Sequence, residues 1–389
     1  MTVLDFTQIL AGPFCTMLLA DMGADVVKIE KPNGGDDTRR MGPPFISGES
    51  AAFLAVNRNK RSLVLDLKSP DGVEVARRMA QTADVLVQNM RPGTMDRLGL
   101  GYEALSGLNR GLIYCSISGF GLTGPYKDRA GFDLVAQGMS GLMSITGFPD
   151  SPPAKVGVPI ADLNAGMFTA NAALSAYIHR LKTGEGQHVD TSLLEAGLSY
   201  TIWESAIYFA TGRVPGPLGS GHSLNAPYQA FKTSDGYINV GAANQANWER
   251  TCRAIGREEL LDDPRFSTNA DRMGDLPALL ELLQETFTAR STDAWLDVLE
   301  KAGVPSGPIM DIAQVYADPQ IEAREMAVEL DHPSAGRVKN IGIPTKLSRT
   351  PGSLRSAAPT LGQHTDEVLG DFDYADDDIA RLRADGVVG

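Results

Sequence analysis

Between residues 3 and 118 the chain alternates, at short and regular spacing, between β-branched apolar runs and stretches with helical periodicity. Val3 to Phe6 reads as a strand, Gly12-Pro13 as a break, Phe14 to Met22 as a helix ended by Gly23, and Asp25 to Glu30 as a second strand. The cycle returns with Ser62 to Asp66 (strand), Ser69 to Thr82 (helix), Ala83 to Gln88 (strand), a helical turn near Thr94 to Leu98, and Gly111 to Ser118 (strand). Strands and helices alternating at this spacing pack as a parallel sheet with right-handed crossovers, so the expected fold is α/β with a doubly wound parallel sheet. Open sheets of that kind bind ligands outside the carboxyl ends of their strands.

The second half has a different texture. A long helix is expected from about Leu163 to Lys182 and an amphipathic one from Leu194 to Thr211, before glycine and proline cluster over residues 212–222. That cluster reads as a linker or mobile loop and places a boundary there. Beyond it, Ser234-Asp235-Gly236 is a hairpin signal and Asn247 to Gly303 is helical, which fits a smaller α+β domain. Strand-like segments after Gly336 and a final acidic helix are expected to return to the first domain. The expected division is 1–200, 201–325 and 326–389.

One motif invites a wrong answer. Gly119-x-Gly121-x-x-Gly124 follows an apolar strand, the pattern of a dinucleotide-binding turn, but Pro125 and the charged run Tyr126 to Arg129 follow where a helix must begin. The fingerprint fails. There is also no GxxxxGK[ST], HExxH or GxSxG, and His179, His188, His222, His332 and His364 show no metal-ligand spacing, so no metal is expected. A net charge of -13 disfavours nucleic-acid and anionic-membrane partners. Cys15, Cys115 and Cys252 are odd in number and far apart, which argues against a disulfide framework. With strand-like VLDF directly after Met1-Thr2 and no run of about 20 apolar residues, the expectation is a cytoplasmic protein.

Against the acidic total, the first hundred residues are locally rich in cations: Lys28, Lys31, Arg39-Arg40, Arg58 to Arg61, Lys68, Arg91 and Arg97. Several fall just after strands, where an anionic ligand would sit, although a solvated surface explains scattered cations equally well. The segment from Gly157 to Gly166 delivers Asp162 to the start of the long helix. The residue types alone favour a helix cap there. A carboxylate fixed at a helix N-terminus and kept ionised by the dipole can also attack an acyl carbon.

Taken together, LDFTQILAGP (4–13), GADVVKIEKP (23–32), NRNKRS (57–62), QNMRPG (88–93), RAGFDLVAQGMSGLM (129–143) and the Asp162 segment resemble the class III CoA-transferase family of the CaiB/BaiF type. The resemblance continues through PYQAFKTSDGY (227–237) to LGQHT (361–365). It implies a Rossmann-like large domain, a small domain and two chains interlocked as a homodimer. It also implies that Asp162 is the nucleophile, forming an aspartyl acyl anhydride from an acyl-CoA before a carboxylic acid takes CoA. CoA is then a substrate, with no tightly bound cofactor. The matching positions give a CoA site of Leu10, Ala11, Lys31, Leu65, Lys68, Asn89, Met90, Arg91, Arg97, Gly131, Phe132 and Asp133. Gly219, Ser220 and Gly221 become a water-excluding lid whose amides meet an oxyanion, with a plain linker as the alternative. Two departures narrow the chemistry. Phe132 stands where racemising relatives carry a proton-transferring His, which favours transferase over 2-methylacyl-CoA racemase. Leu10 stands where some formyl-CoA-using relatives have Gln. The IYCSISGFG stretch and Gly48-Glu49-Ser50 look most like the branch that moves CoA between succinyl and other dicarboxylic acids, and Arg39 or Arg40 is the expected partner of the distal carboxylate, unless that pair faces solvent.

Overall fold

The computed structural model describes residues 1–389, which form two compact units. The first comprises Met1–Leu142, Lys155–Ile202 and Pro319–Gly389; the second comprises Met143–Ala154 and Trp203–Asp318.

The first unit is built on β1 (Thr2–Phe6), β2 (Asp25–Glu30), β3 (Lys60–Val64), β4 (Val85–Gln88), β5 (Ile113–Ser118) and β6 (His188–Ser192). They form one 6-stranded sheet in the order β3-β2-β1-β4-β5-β6 with every pair parallel. This is the strand order of a dinucleotide-binding Rossmann sheet, and it reverses direction between β1 and β4. Side chains alternate along each strand, so both faces are apolar. Leu4, Phe6, Val27, Leu63, Leu86 and Tyr114 face one core. Val3, Val26, Val85, Val87, Cys115 and Ile117 face the other.

The helices of the first unit include α1 (Ala11–Asp21), α2 (Pro70–Ala80), α3 (Asp133–Met139), α4 (Ile160–Thr183) and α5 (Leu193–Leu198), and α6 (Ile202–Thr211) follows, all but its first residue falling in the second unit. Helices α1 and α4 approach closely because their facing residues are small: Ala11, Cys15, Ala161, Ala165 and Ala173 share one buried cluster. At Gly166 a β-carbon would lie 2.6 Å from the Ala11 carbonyl oxygen, so only glycine fits that crossing. On the opposite face, α2 packs with two C-terminal helices, α7 (Thr365–Asp371) and α8 (Asp376–Ala384), through Val75, Met79, Val368, Leu369, Ile379 and Leu382.

Three local expectations are corrected. Gly12 and Pro13 lie inside the first turn of α1 rather than breaking the chain before it. Proline is tolerated there because first-turn amides lack helical acceptors. The expected helix from Leu194 to Thr211 is interrupted by a 3-10 turn, Ser199–Thr201. Strand β6 had no counterpart in the sequence reading; it is a short edge strand with mostly polar residues.

The second unit carries a three-stranded antiparallel sheet in which Tyr228–Lys232 and Tyr237–Gly241 form a hairpin and Ser306–Pro308 completes the set. Helices Gln245–Ile255, Leu276–Thr288 and Thr292–Lys301 cover it around Phe231, Trp248, Phe287 and Trp295. No helix of the chain is long and apolar enough to cross a membrane.

Candidate active site

The carboxyl ends of β1, β4 and β5 open into one pocket. After β1 come Gln8, Ile9, Leu10 and Ala11; after β4 come Asn89, Met90, Arg91 and Pro92; the end of β5 adds Ile117, Ser118 and Gly119. Residues 129–132, Asp162 and Leu193 close the remaining sides. The pocket straddles the point where strand order reverses, the place an open parallel sheet leaves a crevice.

Asp162 sits in the first turn of α4 and does not cap it. The N-cap is Pro159, which offers no side-chain acceptor. Asp133 supplies the cap from the start of α3: its Oδ1 accepts the main-chain N–H of Ala161 at 2.9 Å and of Asp162 at 3.4 Å. Its Oδ2 accepts from Gln137 Nε2 at 2.7 Å, and Gln137 Oε1 in turn accepts the Val156 N–H at 2.9 Å. With the helix amides answered by Asp133, the Asp162 carboxylate is left to the pocket. Burial, then the neighbouring Asp133 charge, pushes its pKa up to about 7. The expectation of a carboxylate held ionised by the dipole is therefore corrected, because desolvation and a like charge outweigh a terminal-turn dipole.

The glycines of the failed dinucleotide fingerprint have a steric explanation. A β-carbon on Gly119 would lie 2.8 Å from the Gly131 Cα, and one on Gly131 would lie 2.8 Å from the Gly119 Cα. Two main chains thus cross in contact at the pocket wall, with no room for a side chain on either. Gly121 and Gly124 have φ of 87° and 79°, so the turn needs glycine for conformation as well.

Of the residues expected at a CoA site, Leu10, Ala11, Asn89, Met90, Arg91, Gly131 and Phe132 line this pocket together with Asp162. Asn89 faces it with its amide already engaged: Oδ1 accepts the Gln8 N–H at 2.9 Å and Nδ2 donates to the Gln8 carbonyl at 2.7 Å. Asp133 acts on Asp162 from behind. Lys31, Leu65, Lys68 and Arg97 lie outside the pocket wall. Lys31 pairs with Asp37 at 2.7 Å, Leu65 is buried in the sheet core, Lys68 is exposed, and Arg97 donates to Thr94 Oγ1 at 3.0 Å. Arg39 does not present a free guanidinium to a substrate. Its Nε and Nη2 each donate to a Glu30 carboxylate oxygen at 2.7 Å, and its Cζ lies over the Phe53 ring, 3.7 Å from the centroid. Arg40 is exposed and pairs with Asp37 at 2.6 Å. In the second unit the glycine-loop amides are also engaged: Gly219 N–H donates to Gly147 O at 2.7 Å and Gly221 N–H to Leu218 O at 2.9 Å, while Ser220 Oγ accepts the Ala230 N–H at 3.0 Å.

The local wealth of early cations has a structural cause as well. Lys28, Lys60 and Arg58 are buried and paired with Asp36, Asp5 and Asp21 at 2.8, 3.0 and 2.7 Å. The cations left at the pocket are Arg91 and Arg129, neither of them ion-paired to a carboxylate; Arg129 lies over the rings of Phe120 and Tyr126 at 5.5 and 5.4 Å. Gln8, Ile9, Ser118, Arg129 and Leu193 are pocket residues that the sequence reading missed. For Leu193 a signal existed: Ser192-Leu-Leu-Glu195 is a capping sequence, and Ser192 Oγ accepts the Glu195 N–H at 3.1 Å. No group of three or more His, Cys, Asp or Glu side chains is placed to hold a metal ion.

Comparison with known proteins agrees with this geometry. The sequence profile described as CoA-transferase family III matches residues 1–365. The chain is 40% identical over 387 residues to the human succinyl-CoA:glutarate CoA-transferase, covering 99% of this chain and 88% of the relative. It is 41% identical over 378 residues to the succinate--glutarate CoA-transferase of Agrobacterium fabrum, covering 95% and 94% respectively. Among solved structures, a CaiB/BaiF family protein from Brucella suis superposes with a TM-score of 0.85 at 40% identity, over 96% of this chain and 98% of that one. A match of this extent, with the pocket at the sheet's reversal point, establishes that the chain belongs to CoA-transferase family III and is an enzyme that transfers CoA.

Proposed function

We propose that the protein moves CoA from succinyl-CoA, or another dicarboxyl-CoA, to a dicarboxylic acid, with Asp162 as nucleophile. The observation that carries the proposal is an Asp162 carboxylate that lines the pocket while Asp133 caps its helix. In the first step an Asp162 oxygen attacks the thioester carbonyl, the C–S bond breaks, and CoA leaves as thiolate. The acceptor carboxylate then attacks the aspartyl carbonyl of the mixed anhydride and displaces the donor acid. CoA thiolate finally attacks the new acyl carbon, which restores the Asp162 carboxylate. Each step exchanges one activated acyl group for another, so the cycle runs in both directions. Arg91 and Arg129 are the proposed partners for the anionic parts of CoA and acid, replacing Arg39 in that role, because neither is ion-paired within the chain.

The choice of dicarboxylates rests on the names of the relatives and on Arg91 and Arg129, two pocket guanidinium groups without a carboxylate partner. A racemase would need a second proton carrier at residue 132, and a phenyl ring supplies none. A homodimer is proposed from the exposed apolar face of α4, where Met167, Phe168, Leu174, Ile178 and Leu181 are unburied. Three buried cysteines without disulfides fit a reducing, cytoplasmic setting.

Incubation with a panel of acyl-CoAs and acids, scored for CoA exchange by mass spectrometry, tests the function. Succinyl-CoA with glutarate is expected to exchange, and hydroxylamine during turnover is expected to trap a hydroxamate on Asp162. Absence of exchange with every pair, or deuterium uptake at an α-carbon in heavy water, would reject the reading.

A pH profile provides a second check. Since attack needs the carboxylate, kcat/KM is expected to rise with pH through about 7 and level off above it. Asp133→Asn removes the like charge while keeping an acceptor for the helix amides. It is expected to move that limb to lower pH; a limb that stays in place would assign the ionisation to another group.

A further inference from the structure

The turn that joins β1 to α1 lines the same pocket as Asp162, and its shape is set by side-chain hydrogen bonds to its main chain, from Asn89 in the pocket wall and from Asp5, Lys28 and Asp36 outside it. Thr7 N–H donates to Asp5 Oδ1 at 2.9 Å, and the Thr7 carbonyl accepts from Lys28 Nζ at 3.0 Å. Both main-chain groups of Gln8 are held by Asn89. Ile9 N–H donates to Asp36 Oδ1 at 3.1 Å. The next residues, Leu10 and Ala11, begin α1 and form part of the pocket wall.

Ile9 is the anomaly in this series. Its φ is 72°, in the left-handed region, which a β-branched side chain enters only against steric resistance. Such a residue persists when its surroundings over-determine it, and it would otherwise relax to an extended or right-handed conformation. Either relaxation would redirect Leu10 and the first turn of α1. The group positioned to prevent it is Asp36, 4% exposed, whose Oδ2 is ion-paired with the fully buried Lys28 at 2.8 Å. Its Oδ1 also accepts the Thr38 N–H at 2.9 Å and the Thr38 hydroxyl, and its own N–H donates to Glu30 Oε2 at 3.0 Å. Asp36 is thus held by the Lys28 ion pair, by Thr38 and through its own N–H, and its Oδ1 also accepts the Ile9 amide.

We propose that Asp36 is a positioning residue for CoA transfer, holding Ile9 in its left-handed conformation so that the Gln8 to Ala11 wall of the Asp162 pocket is preformed. It touches no substrate and acts through Ile9. The inference rests on the function proposed above for its kinetic readout and on main-chain geometry for its structural one.

The test pairs Asp36→Asn with Ile9→Gly: asparagine has a single oxygen for the buried Lys28 ammonium and for the Ile9 and Thr38 donors, so turning that oxygen to Lys28 sets an amide N–H against the Ile9 N–H, whereas glycine adopts this φ without resistance and has no need of the restraint. Rates are measured for succinyl-CoA with glutarate, and amide hydrogen exchange is followed for residues 7–11. Asp36→Asn is expected to lower kcat about tenfold and to speed exchange of the Ile9 amide about tenfold, while the far-ultraviolet circular dichroism stays native. In the Ile9→Gly background the kcat penalty of the same substitution is expected to shrink below about threefold, a coupling that a purely structural role would not produce. An equal penalty in both backgrounds, or a folded Asp36→Asn protein with unchanged kcat and exchange, overturns the proposal. Should Asp36→Asn fail to fold, Thr38→Val takes its place, since it removes one donor that orients Asp36 and leaves the ion pair. It is expected to cost about threefold in kcat with Ile9 present and nothing measurable with Ile9→Gly; any other pattern overturns the proposal. If the unaltered protein exchanges no acyl-CoA at all, the functional reading fails alone, and the hydrogen-exchange comparison still decides the role of Asp36.

Discussion

Asp162→Asn is expected to lower CoA exchange by at least about 10³-fold, and to raise the unfolding temperature at pH 8 while doing so. The first effect follows from chemistry. An amide nitrogen carries no lone pair suited to forming the anhydride, and no second carboxylate lines the pocket. The second follows from the raised pKa. The folded protein keeps the Asp162 proton to about pH 7, whereas an unfolded chain releases it near the ordinary value of 3.8. Between those values the folded state binds the extra proton, so ionisation weakens the fold progressively as pH rises, and the full penalty is present above about 7. Asparagine has nearly the same shape and no charge. Its gain in thermal stability should therefore be largest at pH 8 and vanish near pH 4, and calorimetry across that range measures it. An Asp162→Asn protein that keeps normal turnover, or one less stable at every pH, contradicts the assignment. Activity here is maintained against stability, as expected of a charge placed beside another charge in a partly dry pocket.

How much of this was legible beforehand depends on which interactions fixed each feature. Five of the six parallel strands announced themselves, because a doubly buried strand must be an apolar run and the turns between were marked by glycine, proline and capping residues. Strand β6 did not, since an edge strand reading His-Val-Asp-Thr-Ser carries no apolar signature. The pocket's location followed from the parallel topology, and the residues after β1 and β4, which the family resemblance named, lie there because parallel strands deliver them to that edge. The cations were misread for a clear reason. A lysine after a strand looks the same in sequence whether it faces a phosphate or a buried aspartate, and Lys28, Lys60 and Arg58 face aspartates. Arg39 was lost to the ligand in the same way, since Glu30 lies 9 residues before it with nothing in the spacing to reveal a bidentate pair. The cap that the residue types gave to Asp162 comes from Asp133, because a cap supplied by a different helix leaves no local trace.

Asp5→Asn is expected to destabilise the protein by about 3–5 kcal/mol, the largest effect on stability among the changes considered, read as a lower urea midpoint with an unchanged slope. Asp5 is the fourth of the five residues of β1 and is fully buried. Its carboxylate accepts from Thr7 N–H at 2.9 Å, Thr7 Oγ1 at 2.5 Å, Thr16 Oγ1 at 2.7 Å and Lys60 Nζ at 3.0 Å. Burial alone would raise its pKa, yet Lys60 and then Lys28 hold it well below the carboxylate range. Its contribution is accordingly present at pH 7 and fades only as the pH falls below the ordinary carboxylate range toward that depressed value. Asparagine preserves the shape and abolishes the charge, which leaves the fully buried Lys60 ammonium with neutral partners alone, the Pro13 carbonyl at 2.9 Å and Asn57 Oδ1 at 2.9 Å. An uncompensated buried charge is more damaging than a missing pair. Adding Lys60→Met to Asp5→Asn should then recover part of the loss, so that the double variant is more stable than Asp5→Asn alone. A double variant whose loss is the sum of two single losses would mean that the charges do not depend on one another. The same pair also ties the sheet to the site, because Asp5 holds Thr7 and Lys60 holds the Pro13 carbonyl at the two ends of the wall facing Asp162. Loss of the buried aspartate should therefore loosen the pocket before it unfolds the sheet, with amide exchange at residues 7–13 rising ahead of that in β4 and β5.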